Sequence, residues 1–153
     1  MRNKGHYILG GRKRRVSWHY TVDDKRVIQQ LPIRELAYHA GRGNRKSIAI
    51  ETCMHAGLDQ DAANDRLARL VAVLLHDLGL DRSRVVPHKH WTGKNCPRLL
   101  LPMWEEFLDK VDDYLQGIDR GSMESIYGVA ENAEDGEMAH EAIAEEVNAM
   151  LTA

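Results

Sequence analysis

Alternation opens the pattern. In Val16-Ser17-Trp18-His19-Tyr20-Thr21-Val22, the larger apolar side chains Val16, Trp18, Tyr20 and Val22 share one parity, and Ser17, His19 and Thr21 share the other. A period of two predicts a half-buried strand. Asp23-Asp24-Lys25 reads as a turn, and Val27 to Leu31 as the returning strand, ended by Pro32. The stretch from Tyr38 to Asn44 has loop chemistry, with two glycines among polar groups. It leads into a short apolar strand, Ser47 to Cys53, that carries Glu51 near its end.

The period then changes. Leu67, Leu70, Val71, Leu74, Leu75 and Leu78 recur at spacings of three and four, which predicts an amphipathic helix over 61–79 capped by Gly79. Val85-Val86 reads as a brief strand, and residues 88–97 as the loop it delivers. Pro102 suits the first turn of another helix, whose stripe is Trp104, Phe107, Leu108, Val111 and Leu115 and whose stop is Gly117. Upstream, Tyr7-Ile8-Leu9 ahead of Gly10-Gly11 reads as the last turn of a helix. Ile143, Val147, Met150 and Leu151 predict a small amphipathic helix near the end. Interleaved strands and helices indicate an α/β class, a mixed β-sheet flanked by helices. The division is one domain over 1–118, followed by an acidic linker and small helix over 119–153.

Charge adds little in bulk and more in its distribution. The 153 residues carry a formal net charge of −2, which selects no partner, and 43% hydrophobic content supports a real core. Residues 1–15 hold six basic side chains and no acid, whereas residues 131–146 hold seven acids and no Lys or Arg. A basic arm favours an anionic polymer when it is more than a solvated end. The deaminase signature, helix-turn-helix spacing and zinc-finger spacing are all absent, so nucleic acid is not the expected partner. No apolar run reaches membrane-span length, and no signal-peptide h-region is visible. Two cysteines, Cys53 and Cys96, allow one disulfide but no framework.

The densest chemistry lies in His88-Lys89-His90-Trp91-Thr92-Gly93-Lys94-Asn95-Cys96-Pro97. Gly93 lets the segment bend back, so that an imidazole and a thiolate meet on one cation. Zinc is the first choice because it accepts nitrogen and sulfur. Lys94 would stand beside it as a fixed charge for a developing oxyanion. A lone His and Cys in a loop are also compatible with a structural role. Glu51 is either a carboxylate held on its strand by a cation or a catalytic task, or an exposed edge residue. His55, His76 and His140 read as surface positions, and His90 competes with His88 as a ligand.

Four segments together resemble the type 2 N-acetylmuramoyl-L-alanine amidases, a family that includes phage endolysins and shares its fold with peptidoglycan-recognition proteins. They are Ser17 to Asp23, Ala37 to Gly41, Asn44 to Glu51 and His88 to Pro97, and the resemblance covers roughly residues 5–110. The resemblance implies zinc-dependent hydrolysis of the amide joining muramic acid to L-alanine in peptidoglycan. It assigns His88 and Cys96 as two of three zinc ligands, Glu51 as the general base and Lys94 as support for the tetrahedral intermediate. Trp18, His19, His39 and Trp91 match positions lining or supporting the substrate groove. Such an enzyme is made in the cytoplasm and acts at the bacterial cell wall after release or export.

The family's third ligand is a histidine on a first, central strand. Only sixteen residues precede Ser17, and they read as the helix tail that follows that strand. The expectation is therefore an amidase-like domain truncated at its N-terminus, lacking its first central strand, with His6 the sole upstream histidine. The alternative is a non-catalytic wall-binding relative or an inactive fragment.

Overall fold

A computed structural model describes residues 16–119 together with the pairs Ile8–Leu9 and Arg12–Lys13. The architecture is a mixed three-stranded sheet covered by two long helices. Its strands are β3 (Tyr20–Val22), β4 (Val27–Gln29) and β5 (Ile50–Thr52), and the order β4-β3-β5 makes β3 central. β4 pairs antiparallel to it (Tyr20 with Gln29, Val22 with Val27), and β5 pairs parallel (Tyr20 with Ile50, Thr21 with Glu51).

Local chemistry explains the hairpin. The Asp23 carboxylate accepts from the backbone N–H groups of Lys25 (2.7 Å) and Arg26 (2.8 Å), holding the turn that the sequence placed there. The strands are shorter than the alternation implied. Residues 16–18 and 47–49 are extended approaches rather than ladder, though Ser17 N–H still bonds the Tyr38 carbonyl.

Helix α1 (Gln60–Asp77) starts where Asp59 accepts from Ala62 N–H, and its last carbonyls are closed by the N–H groups of Gly79 and Leu80. Its buried face includes Leu67, Ala68, Val71, Ala72 and Leu75. Against it lies α3 (Trp104–Asp119), entered through a single turn at Leu101–Met103 that contains Pro102. Val22 from the sheet, the α1 face, and Leu100, Phe107, Leu108 and Val111 form one core. The opposite face of the sheet, where Thr21, Ile28 and Glu51 lie side by side, is left more open.

Several expectations are corrected. Ile8–Leu9 is not a helix tail. It is β1, paired antiparallel with β2 (Arg12–Lys13), Ile8 opposite Lys13 and Leu9 opposite Arg12. Val85-Val86 forms no strand, because a turn over Arg82–Arg84 absorbs the approach. Residues 88–97 are not wholly loop, since His88–Thr92 form a short helix, α2. Gly117 does not stop α3, which continues to Asp119. The acidic linker and helix expected after 119, and His6, lie outside the described residues.

Two polar clusters fasten α3. Arg82 reaches Asp109 (2.9 Å), Asp112 (2.7 Å) and Glu105 (3.2 Å). Asp65 of α1 accepts from Tyr114 Oη (2.7 Å), Arg69 Nε (2.8 Å) and Lys110 Nζ (3.0 Å). Burial pushes the Asp65 carboxyl up, but these three donors outweigh it and bring its pKa down to about 2. A depressed carboxylate contributes stability above its unfolded pKa, and that contribution is lost as pH falls from about 4 through about 2. Asp65→Asn should destabilise the fold by about 2 kcal/mol at neutral pH, and the deficit should shrink across that window. Urea unfolding at pH 7 and pH 3 measures both.

Candidate functional site

The site is assembled from three segments on the open side of the sheet. The first is the connection from β4 to β5, which carries His39 and a single 3-10 turn at Gly41–Gly43. Asn44 Oδ1 folds this connection by accepting from the backbone N–H groups of His39 (3.0 Å) and Ala40 (2.7 Å). The second is β5, whose alternation turns Glu51 away from the core. The third is α2 with the turn that follows. Gly93 ends the helix at φ 76°, a left-handed conformation that side-chain-bearing residues seldom adopt. The chain then doubles back, and Lys89 N–H donates to the Cys96 carbonyl at 3.0 Å. That bond sets the backbone of the residue after His88 against the backbone of Cys96.

His19 lies beneath these segments. It is 1% exposed and has a partner at each ring nitrogen. Nδ1 accepts from Ala49 N–H at 2.9 Å, which puts the proton on Nε2, 3.1 Å from the Glu35 carbonyl that receives it. Desolvation lowers its pKa despite that last bond, so the ring is neutral. It supports the groove from below and offers no free nitrogen to a ligand. Its edge meets His39 with ring centroids 6.3 Å apart. His39 is also held neutral, first by burial and then by the two neighbouring histidines, His19 and His88. Its Nε2 is buried without a partner.

Glu51, His88, Lys94 and Cys96 share one electrostatic neighbourhood. Burial raises the Glu51 pKa, and the charges of His88 and Lys94 draw it part of the way back. Burial likewise raises the Cys96 thiol, with Lys94 lowering it and Glu51 raising it further. A carboxyl that is hard to ionise, beside a fixed ammonium, is suited to moving protons near neutral pH.

The fit to zinc is incomplete among the described residues. A catalytic zinc site takes three protein donors. The sequence resemblance offers two, His88 and Cys96, and no group of three or more His, Cys, Asp or Glu able to hold a metal is found among the described residues.

Trp18 and Trp91 occupy different surroundings. Trp18 Nε1 donates to Thr21 Oγ1 at 2.7 Å, which places the indole beside the open face of β3. Trp91 packs onto the backbone of Gly43, so closely that a Cβ there would meet the indole at 2.7 Å. Gly43 and Asn44 were given no role in the sequence reading. The signal was present in Gly41-Arg42-Gly43-Asn44, where an Asn follows a glycine whose neighbour must come close.

A family model described as N-acetylmuramoyl-L-alanine amidase matches residues 2–99. The chain is 46% identical over 100 residues to the N-acetylmuramoyl-L-alanine amidase CwlH of Bacillus subtilis, covering 62% of this chain and 40% of that protein. It is 44% identical over 95 residues to XlyA of the same organism, covering 60% and 32%. The chain thus spans well under half the length of these relatives. The solved catalytic domain of XlyA superposes with a TM-score of 0.62 at 41% identity, covering 64% of this chain and 67% of that one. PlyL superposes with a TM-score of 0.60 at 33% identity, covering 65% and 68%.

Two outcomes follow from the packing. His19→Ala orphans the Ala49 N–H and the Glu35 carbonyl, at about 1–3 kcal/mol each, and should destabilise by about 2–5 kcal/mol in chemical denaturation. In the unaltered protein, the stability tied to the neutral ring is complete above about pH 6.5 and is lost as pH falls below that towards the lowered folded pKa. The same variant should flatten that part of the pH profile. Gly43→Ala forces the Trp91 ring to move and should cost about 1–3 kcal/mol, read as a lower melting temperature.

Proposed function

Because the chain belongs to the N-acetylmuramoyl-L-alanine amidase family, we propose that it hydrolyses the amide between N-acetylmuramic acid and L-alanine in bacterial peptidoglycan, with Glu51 and Lys94 as its catalytic residues. The observation that supports this reading is the place of Glu51 on the open face of β5, where the residue is exposed to solvent and its carboxyl lies in the field of both His88 and Lys94.

Glu51 takes the proton of the attacking water and returns it to the amine of L-alanine as that group leaves. Lys94 supplies a fixed positive charge to the oxygen of the tetrahedral intermediate, a contribution of about 3–4 kcal/mol if it resembles other oxyanion donors. His39 and the indoles of Trp18 and Trp91 flank the path of the glycopeptide. Zinc belongs to this reading as the cofactor that His88 and Cys96 help to hold, and when bound it would polarise the scissile carbonyl. His88 and Cys96 alone leave its donor set incomplete among the described residues. The protein acts at the cell wall, as an endolysin does.

A second reading is favoured by the incomplete donor set. The same fold would bind peptidoglycan without cleaving it. Wall binding would then survive both a chelator and Glu51→Ala.

Release of peptides with a new N-terminal alanine from purified peptidoglycan tests the first reading. Glu51→Gln should lower kcat by about 10²–10⁴-fold, and Lys94→Met by about 10²–10³-fold, with wall binding retained. The raised Glu51 pKa places the acid limb of the rate profile at higher pH than an ordinary glutamate would, and the rate climbs as pH rises through it. Cys96→Ser should lower the zinc retained after dialysis. No alanine release in the presence of zinc, with wall binding intact, selects the second reading.

A further inference from the structure

Besides Lys25, Arg34, Arg66 and Arg84, the cations among the described residues 16–119 can be told apart as two sets. One set is paired with acids: Arg26 with Asp23, Arg69 and Lys110 with Asp65, and Arg82 with three carboxylates of α3. The other set lies on the two segments that build the site. Residues 36–50 and 87–98 contain Arg42, Arg45, Lys46, Lys89, Lys94 and Arg98, and no Asp or Glu. All six side chains are exposed, and none makes an ion pair among the described residues.

The fold joins these two segments. Arg42 Nη2 reaches the His90 carbonyl at 3.4 Å, and Trp91 lies on the backbone of Gly43. Lys46 N–H closes a turn onto the Gly43 carbonyl, and Lys89 N–H bonds the Cys96 carbonyl. Six exposed cations, of which only Lys94 feels a neighbouring carboxylate, that of Glu51, thereby lie on two joined segments of a chain whose formal net charge is −2. Such a field repels itself and is maintained at some cost to stability, whereas an anion along it is attracted.

Resting on the amidase reading above, we propose that this rim binds an anionic wall polymer with repeating phosphodiester groups. The substrate would then be peptidoglycan that carries such a polymer beside the scissile bond. One stem peptide has too few carboxylates to engage six cations spread over two segments, whereas a polymer repeats its charge. Three of the six are arginines, whose planar fork matches phosphate oxygens, and the lysines add point charge.

The test uses the full chain, the triple variant Arg45→Gln/Lys46→Gln/Lys89→Gln, and purified walls before and after hydrofluoric acid removes phosphodiester-linked polymers. None of the three residues is assigned to catalysis. Cosedimentation should show salt-sensitive binding of the unaltered chain to intact walls and at least tenfold weaker binding to stripped walls. The variant should bind intact walls at least tenfold more weakly. Its slope of log K against log salt should be shallower by about two, three contacts at about 0.7 each for a single-stranded polyanion. Hydrolysis of a soluble muramoyl peptide should be unchanged in the variant. Equal binding to intact and stripped walls would overturn the proposal, as would an unaltered salt slope in the variant. So would displacement from walls by duplex DNA as effective as by soluble wall polymer at equal phosphate. If the soluble muramoyl peptide is not cleaved by either protein, the amidase reading fails by itself, and the sedimentation comparisons still decide the rim.

Discussion

A buried neutral imidazole sets the position of most of what matters here. His19 sits at the entrance to β3, and its two ring nitrogens fix the approach to β5 through Ala49 and the loop after β4 through Glu35. Its backbone does the same work in parallel. The His19 N–H bonds the Ala49 carbonyl, and the His19 carbonyl accepts from Gln30 and Leu31. A three-residue ladder is a weak device for holding strand register, because few bonds oppose a slip. The imidazole adds specificity that the short ladder lacks, since only one register presents Ala49 N–H to Nδ1. Glu51 lies two residues beyond Ala49, so the direction of the proposed base depends on that contact.

The helical layer is held by different means. Its core is apolar and continuous, from Val22 through the leucines of α1 to Phe107 and Val111 of α3. Burial of that kind is large but non-directional. Direction comes from Asp65 and Arg82, each of which gathers three partners and so fixes how α3 lies on α1 and on the turn before α2.

Elements with a long period were legible from sequence, and short ones were not. α1 showed about three turns of apolar repeat and a glycine cap at Gly79, and the hairpin at Asp23 showed a turn residue between two β-rich runs. The sequence also pointed to Gly93 as the bend, which its φ of 76° bears out, and to His88, Cys96, Lys94 and Glu51 as the chemistry, of which Glu51 feels the charges of His88 and Lys94 and Cys96 those of Lys94 and Glu51. α2 escaped notice because five residues make fewer than two turns, too few for any periodicity to register. Gly117 misled because a glycine inside a helix costs only about 1 kcal/mol, and the packing of Tyr114, Leu115 and Ile118 against the core exceeds that. Gly10-Gly11 serves both a helix end and a hairpin, and local residues do not separate the two. The roles of Gly43 and His19 depend on neighbours distant in sequence, which no local pattern contains.

The short helix that carries His88 explains why the rim and the site belong together. α2 buries no residue fully and has no side-chain cap, so neither hydrophobic area nor intrinsic propensity holds it in place. It is held by Trp91 on Gly43, by Arg42 on the His90 carbonyl and by Lys89 N–H on the Cys96 carbonyl. A segment with so few buried contacts opens at a free energy well below global unfolding. Mutual repulsion among the cations on α2 and the Gly41–Gly43 turn works in the same direction, since it pushes apart the two pieces that Trp91 joins. An anionic polymer across both would cancel that repulsion and draw the turn and α2 together. Binding at the rim and ordering of the His88–Cys96 bend are then two consequences of the same charge neutralisation.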